Sequence, residues 1–236
     1  MAKNLILAFV CMIAIIGIFM AIGLQDEKEK TYESIAYNKN KKKVAYLTFD
    51  DGPSKNTIDV LKVLDKYKIK ATFFVVGSLI DEKGRDILKQ VYNKGHSIGI
   101  HTYSHKYNQI YVSKKAYIED FNKAKEVIKD TLGITPCIYR FPGGSCNCYI
   151  ACIKKEIIDE LGTMGYSYFD WNVSAQDAIN RPSVYSITKN VIKDYKAYDR
   201  PIVLLHDGPG NKNTVYALPT IIENMISEGY SFGVLK

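Results

Sequence analysis

The chain is poor in the features that would settle its class at a glance. It has no clusters of arginine interleaved with aromatic residues. The basic residues are scattered lysines, which argues against a dedicated nucleic-acid groove despite a formal net charge of +7. The charge points instead to an anionic surface or polymer, such as a bacterial wall or a membrane face. There is no internal repeat and no low-complexity stretch. No pair of strand-like runs is joined by a hairpin turn, which leaves parallel pairing as the expectation. Histidine is scarce, with four in 236 residues, and there is a single tryptophan. Their positions therefore carry weight.

Charge is also missing from Leu5 to Leu24 (LILAFVCMIAIIGIFMAIGL). Twenty apolar residues match a bilayer core. A secretory signal has a shorter apolar region, typically ~7–15 residues, and a small-residue cleavage site that is not evident here. The reading favours an uncleaved transmembrane anchor with the N-terminus inside, a cleaved signal being the alternative. Both export the rest of the chain, so the expected location is the cell membrane, single-pass, with the main domain extracellular. Residues 25–43 are polar and lysine-rich and read as a linker. Residues 44–236 suffice for one α/β domain.

Of five cysteines, Cys11 falls in the apolar run and Cys137, Cys146, Cys148 and Cys152 cluster. In an exported domain such a cluster favours one or two disulfides. Free thiols and a structural zinc are the alternatives, although C-x-C-x3-C lacks the usual C-x2-C hairpin spacing.

The remaining chain alternates strand-like and helix-like segments. Val44–Asp50, Ala71–Val76, Ser97–His101, Cys137–Arg140, Ser167–Val173, Pro201–His206 and Phe232–Leu235 read as strands. Helical patterns cover 56–67, 81–94, 113–132, 151–164, 182–198 and 214–228, several closed by glycine. Seven parallel strands with helices outside predict a distorted or incomplete (β/α) barrel of the TIM type, preceded by the N-terminal transmembrane helix.

The chemistry gathers at predicted strand ends, where parallel α/β folds bind ligands. Asp50 and Asp51 end the first strand, and Ser54 is placed to cap the next helix. His101 and His105 follow the third strand at a spacing that, on a helical turn, lets two imidazoles grip one metal. Arg140 ends the fourth and would keep a neighbouring aspartate ionised. The Pro-Gly-Gly turn after it frees backbone N–H groups for an oxyanion. Trp171 is either core or pocket wall, and Asp177 follows it. His206 ends the sixth strand as the candidate proton-transfer group, a buried core histidine being the bland alternative. His96 lies at the opposite strand end and reads as structural.

The series TFDDGPS, HTYSH, RFPGG, the D-W stretch with its later Asp, and LLHD resembles the polysaccharide deacetylases of carbohydrate esterase family 4, the NodB-homology domain, from Val44 to the C-terminus. The resemblance implies a distorted barrel and a divalent metal, zinc or a similar ion such as cobalt, on Asp51, His101 and His105. It implies Asp50 as general base with Arg140 as partner, and Gly143 N–H at the oxyanion. It implies His206 as general acid oriented by Asp177, with Leu204 at the acetyl pocket and Trp171 beside it. Two departures stand out. Gly143 occupies a position where the family often has an aromatic residue, and Ala178 follows Asp177 where a tryptophan is usual. The implied activity is removal of N-acetyl groups from N-acetylglucosamine of an extracellular glycan, peptidoglycan first. Chitin oligomers, acetylxylan, or a non-catalytic wall-binding role on the same fold are the alternatives.

Overall fold

The structure, a computed structural model, describes residues 43–236. The expected anchor, Cys11 and all of the linker but Lys43 lie outside the described residues. Among the described residues no helix is long and apolar enough to cross a membrane.

Among the described residues eight strands form one sheet: β1 (Val44–Gly52), β2 (Thr72–Val75), β3 (Ser97–Ile100), β4 (Ile138–Tyr139), β5 (Ser167–Tyr168), β6 (Val173–Ser174), β7 (Ile202–His206) and β8 (Ser231–Phe232). The order is β5-β4-β3-β2-β1-β7-β6, every pair is parallel, and β8 joins the start of β1. Seven α-helices of the described residues accompany them: α1 (Lys55–Tyr67), α2 (Glu82–Asn93), α3 (Tyr107–Ile110), α4 (Lys114–Leu132), α5 (Lys154–Thr163), α6 (Val184–Asp194) and α7 (Lys212–Ser227). Their caps follow the sequence chemistry. Ser54, Asp81, Ser113 and Ser183 each accept a backbone N–H of the helix they precede, and Gly133 closes α4 in the left-handed region.

The expected fifth strand is two strands on opposite edges. Residues 167–168 pair with β4, and 173–174 pair with β7. The sheet therefore curls without closing. The segment between its edges is held by Phe169 N–H to Tyr139 O at 3.0 Å and Asn172 N–H to Ile202 O at 3.2 Å. Two further differences are minor. The last strand, Ser231–Phe232, overlaps the expected Phe232–Leu235 by one residue only, and the 182–198 helix runs Val184–Asp194 before a short 3₁₀ turn.

Strand alternation divides the side chains into two sets. Ala45, Leu47 and Phe49, with Phe73, Val75, Val203 and Leu205, pack in the large core against the helices. The opposite set turns inward. Phe74, Ile138 and Leu235 form a small inner cluster with Tyr46, Phe169 and Ile202 around it. Thr48, Asp50, Leu204 and His206 follow in the same alternation, so the inner face grades from apolar to polar at the carboxyl ends. Gly99 keeps it open, since a Cβ there would stand 2.4 Å from Phe74 Cδ1 and 3.2 Å from Ile138 Cγ1.

Gly99→Ala thus overpacks the inner cluster and displaces the Phe74 ring. Stability should fall by about 1–3 kcal/mol, read as a lower midpoint in chemical denaturation with an unchanged slope.

Candidate metal centre and catalytic cleft

Two adjacent aspartates in a regular strand point to opposite faces. Here the β1–β2 register shifts between Asp50 and Gly52, and Asp51 adopts φ +71°. This bulge turns Asp51 toward the same cleft as Asp50. The turn is braced by the residues just after β7. Ser54 Oγ donates to Asp207 O at 2.6 Å, Asn56 Nδ2 to Gly208 O at 2.7 Å, and Thr57 Oγ1 to Asp207 Oδ2. Burial pushes the Asp207 carboxyl up to about 7, against the pull of the Thr57 hydroxyl.

The His101–His105 segment is not the helical turn the spacing predicted. Thr102 and His105 are left-handed, at φ +65° and +54°. The Asp120 carboxylate of α4 accepts the N–H groups of Tyr103 and Ser104, while Thr102 O and Tyr103 O accept from Gly77 and Ser78. These bonds compete with helix hydrogen bonding and win. The loop still brings both rings to Asp51, whose Oδ1 lies 3.5 Å from His101 Nε2 and 3.2 Å from His105 Nε2.

The fit to a metal can be judged from this geometry. Asp51 Oδ1 is buried, with no hydrogen-bond partner among the described residues. His101 Nδ1 lies 2.8 Å from Arg140 O and so carries the proton, leaving Nε2 with a free lone pair. Burial holds His101 down at about 3, against the pull of Asp51, so its ring is neutral as a ligand must be. Two ligands each about 2.1 Å from one ion stand about 3.0–3.4 Å apart at usual angles. Among the described residues these three are the His/Cys/Asp/Glu group that could hold a cation. The residues present fit the ion. The cysteines do not form such a group, and all four are exposed and free rather than paired.

Arg140 is fully buried behind the carboxylates. Its Nη1 donates to Asp50 Oδ1 at 2.8 Å and Thr48 Oγ1 at 2.7 Å, its Nε to Phe169 O, and its Nη2 to Asp170 O. The guanidinium lies 4.2 Å from the Phe74 ring centre. Burial raises the Asp50 pKa, and Arg140 opposes that rise most strongly. In the following turn Gly144 N–H bonds to Phe141 O, whereas the Gly143 N–H has no partner among the described residues. Gly143 sits at φ +76°, a conformation natural to glycine.

His206 pairs with Asp50 in the β1–β7 register. Asp177 grips it twice, Oδ1 at 2.8 Å from Nδ1 and Oδ2 accepting the His206 N–H at 2.9 Å. Thr214 and Asn211 hold Asp177 in turn. Burial works against a charge on His206, but the hydrogen bond and charge of Asp177 outweigh it and raise the imidazole to about 9. Asp50, Asp51, His101, His105, Gly143, Trp171, Leu204 and His206 line one cleft of about 700 Å³. Arg140 and Asp177 stand directly behind its wall. His96 lies apart, its Nδ1 accepting the Ala71 N–H.

The sequence motifs carry no assignment for Thr48, Tyr107, Asp120, Asp207 or Thr214. Asp207 was signalled by its place beside His206. Asp120 and Thr214 sit inside helical patterns that give no such cue.

The family model for polysaccharide deacetylases matches residues 37–169. A peptidoglycan-N-acetylglucosamine deacetylase of Bacillus cereus is 35% identical over 197 residues, covering 82% of this chain and 86% of that protein. The catalytic domain of a peptidoglycan N-acetylglucosamine deacetylase from Eubacterium rectale superposes with a TM-score of 0.77 at 39% identity, covering 82% and 89% of the two chains. A family 4 acetyl xylan esterase from Clostridium thermocellum, solved with a cobalt ion, gives 0.69 at 31% identity, covering 81% and 88%.

Titration calorimetry should find one zinc site on the protein. Asp51→Ala or His101→Ala should weaken it by roughly 100-fold or more, beyond the loss caused by removing an outer-shell partner. His206→Ala should leave it unchanged, and equal weakening by all three would place the ion elsewhere.

Proposed function

The chain belongs to the polysaccharide deacetylase family, hydrolases that act on amide bonds, and from that premise we propose that it removes N-acetyl groups from N-acetylglucosamine units of peptidoglycan with a divalent ion, zinc first. One observation carries the reading. The three-ligand cluster shares a single cleft with a buried, arginine-paired carboxylate and an aspartate-held imidazole.

Asp51, His101 and His105 would hold the ion. When bound, it polarises water and the amide carbonyl. Asp50 accepts the proton of the attacking water, its Arg140 partner favouring the ionised form that a base must start from. The Gly143 N–H donates to the carbonyl oxygen as it gains charge. His206, held protonated by Asp177, delivers its proton to the departing nitrogen. Acetate and a glucosamine unit result. Leu204 and Trp171 flank the place of the acetyl methyl.

The same reading assigns residues 1–24 as membrane anchor, 25–43 as linker and 44–236 as the catalytic domain outside the cell. It is supported by the charge-free run Leu5–Leu24, by the polymer the relatives act on and by the basic balance of the chain.

Acetate release should be measured side by side on peptidoglycan, chitin oligomers and acetylxylan. Release should be greatest on peptidoglycan and stop with chelator. Asp50→Asn should lose roughly 10²–10⁴-fold in turnover while still binding zinc. A variant that keeps its turnover would remove Asp50 from the mechanism, and silence on all three polymers would end the hydrolase reading.

The pH profile tests His206. Its acid form is present below about 9 and lost above, so the rate falls on the alkaline side. A bound cation disfavours imidazolium and places that limb at or below this value. Asp177→Asn removes the group that holds the proton, so the limb should move to lower pH, with turnover down by roughly 10²-fold or more. An unmoved limb would assign it to another group.

A further inference from the structure

Gly143 has no side chain, yet the space above it is filled. A Cβ at this position would lie 2.5 Å from Tyr107 Oη and 3.3 Å from its Cζ. The tyrosine comes from α3, two residues after His105, and leans across the cleft onto the Pro-Gly-Gly turn. It lines the cleft together with the metal group and His206.

The ring is fixed on three sides. Its centre lies 5.7 Å from that of His105, 5.5 Å from Tyr111 and 5.5 Å from Tyr149, the two tyrosines meeting it edge-on. The hydroxyls differ in use. Tyr111 Oη donates to Pro142 O at 2.8 Å and is buried. Tyr107 is half-buried, and its Oη has no hydrogen-bond partner among the described residues. A neutral hydroxyl with an unspent proton thus opens into the cleft beside the unspent N–H of Gly143. Held rings and unpaired donors are what a preorganised oxyanion site requires.

We propose that Tyr107 donates a hydrogen bond from Oη to the acetamide oxygen as it becomes an oxyanion, beside the backbone donor of Gly143. Tyr107 gives up no proton and forms no covalent bond. Its contribution is made in the transition state, where the oxygen carries most charge, so it appears in turnover rather than in substrate binding. The inference rests on the deacetylase reading above.

The test compares zinc-loaded wild type and Tyr107→Phe on N-acetylglucosamine oligomers and on peptidoglycan, with zinc affinity and melting temperature measured alongside. Phenylalanine keeps the ring contacts and removes only the hydroxyl. The expected result is a kcat lower by about 10²–10³-fold. KM should stay within about threefold, and zinc affinity and melting temperature should not change. A kcat within about twofold of wild type, or a change confined to KM, overturns the proposal while leaving the deacetylase reading in place. A loss of kcat that follows a loss of zinc affinity overturns it too, by making Tyr107 a support for His105. Wild type that releases no acetate ends both readings.

Discussion

The buried Arg140–Asp50 pair is the constraint on which the rest of the structure depends. Removing two charges from water costs several kcal/mol each, and only close contact with full hydrogen bonding repays it. Arg140 meets that condition with Asp50, Thr48, Phe169 O and Asp170 O, and with the Phe74 ring beneath it. Those partners lie on an interior strand of the sheet and on the segment that spans its opening. Thr48 and Asp50 belong to β1, whereas Phe169 and Asp170 belong to the segment between the edge strands. The guanidinium therefore ties the curled sheet together where strand pairing stops. It also opposes the rise in pKa that burial imposes on the carboxylate it holds. A substitution at Arg140 would remove both at once, leaving a buried carboxylate unpaired at a cost of about 3–5 kcal/mol.

The two histidines lining the cleft at strand ends show how environment divides one residue type into two tasks. His101 is enclosed, its outer nitrogen bonded to a backbone carbonyl, and burial keeps it neutral. His206 is also largely enclosed, but its outer nitrogen faces a carboxylate, and that partner keeps it charged. Ring, scaffold and cleft are shared. What differs is whether the second-row acceptor bears a full charge, and this fixes which ring offers a lone pair and which offers a proton.

Much of this was legible in the chain. Alternation in VAYLTFD and PIVLLH set which side chains turn inward, and the strand-end positions of Asp50, Arg140 and His206 followed from it. The capping Ser54, the apolar periodicity and the closing glycines placed most helix ends within a few residues. The unreadable parts have a common cause, which is that backbone geometry there is imposed by distant residues. SYFDWNV contains no glycine or proline to announce that the strand divides. The bulge at Asp51 depends on its registry with β2. The His101–His105 loop is bent by Asp120, which is spaced like any other polar residue of α4. Tyr107 and Gly143 explain each other only in three dimensions, since neither a tyrosine after HTYSHK nor a glycine after RFP carries the information alone.

The cysteine-bearing stretch after RFPGG shows how the turn holding Gly143 is secured. Ser145 donates through both N–H and Oγ to the Asp170 carboxylate, and Asn147 Nδ2 donates to Pro142 O and Gly144 O. Asp170 O in turn accepts from Arg140. Trp171 lies against Gly144, which could not carry a Cβ without meeting its ring at 2.8 Å. The polar hooks of this stretch point inward while Cys146, Cys148 and Cys152 face solvent. Hydrogen bonds that converge on the buried arginine fix the turn, so its geometry needs no covalent cross-link. The same arginine that pairs with Asp50 thereby bears, through Asp170 and Ser145, on the turn that carries the Gly143 N–H.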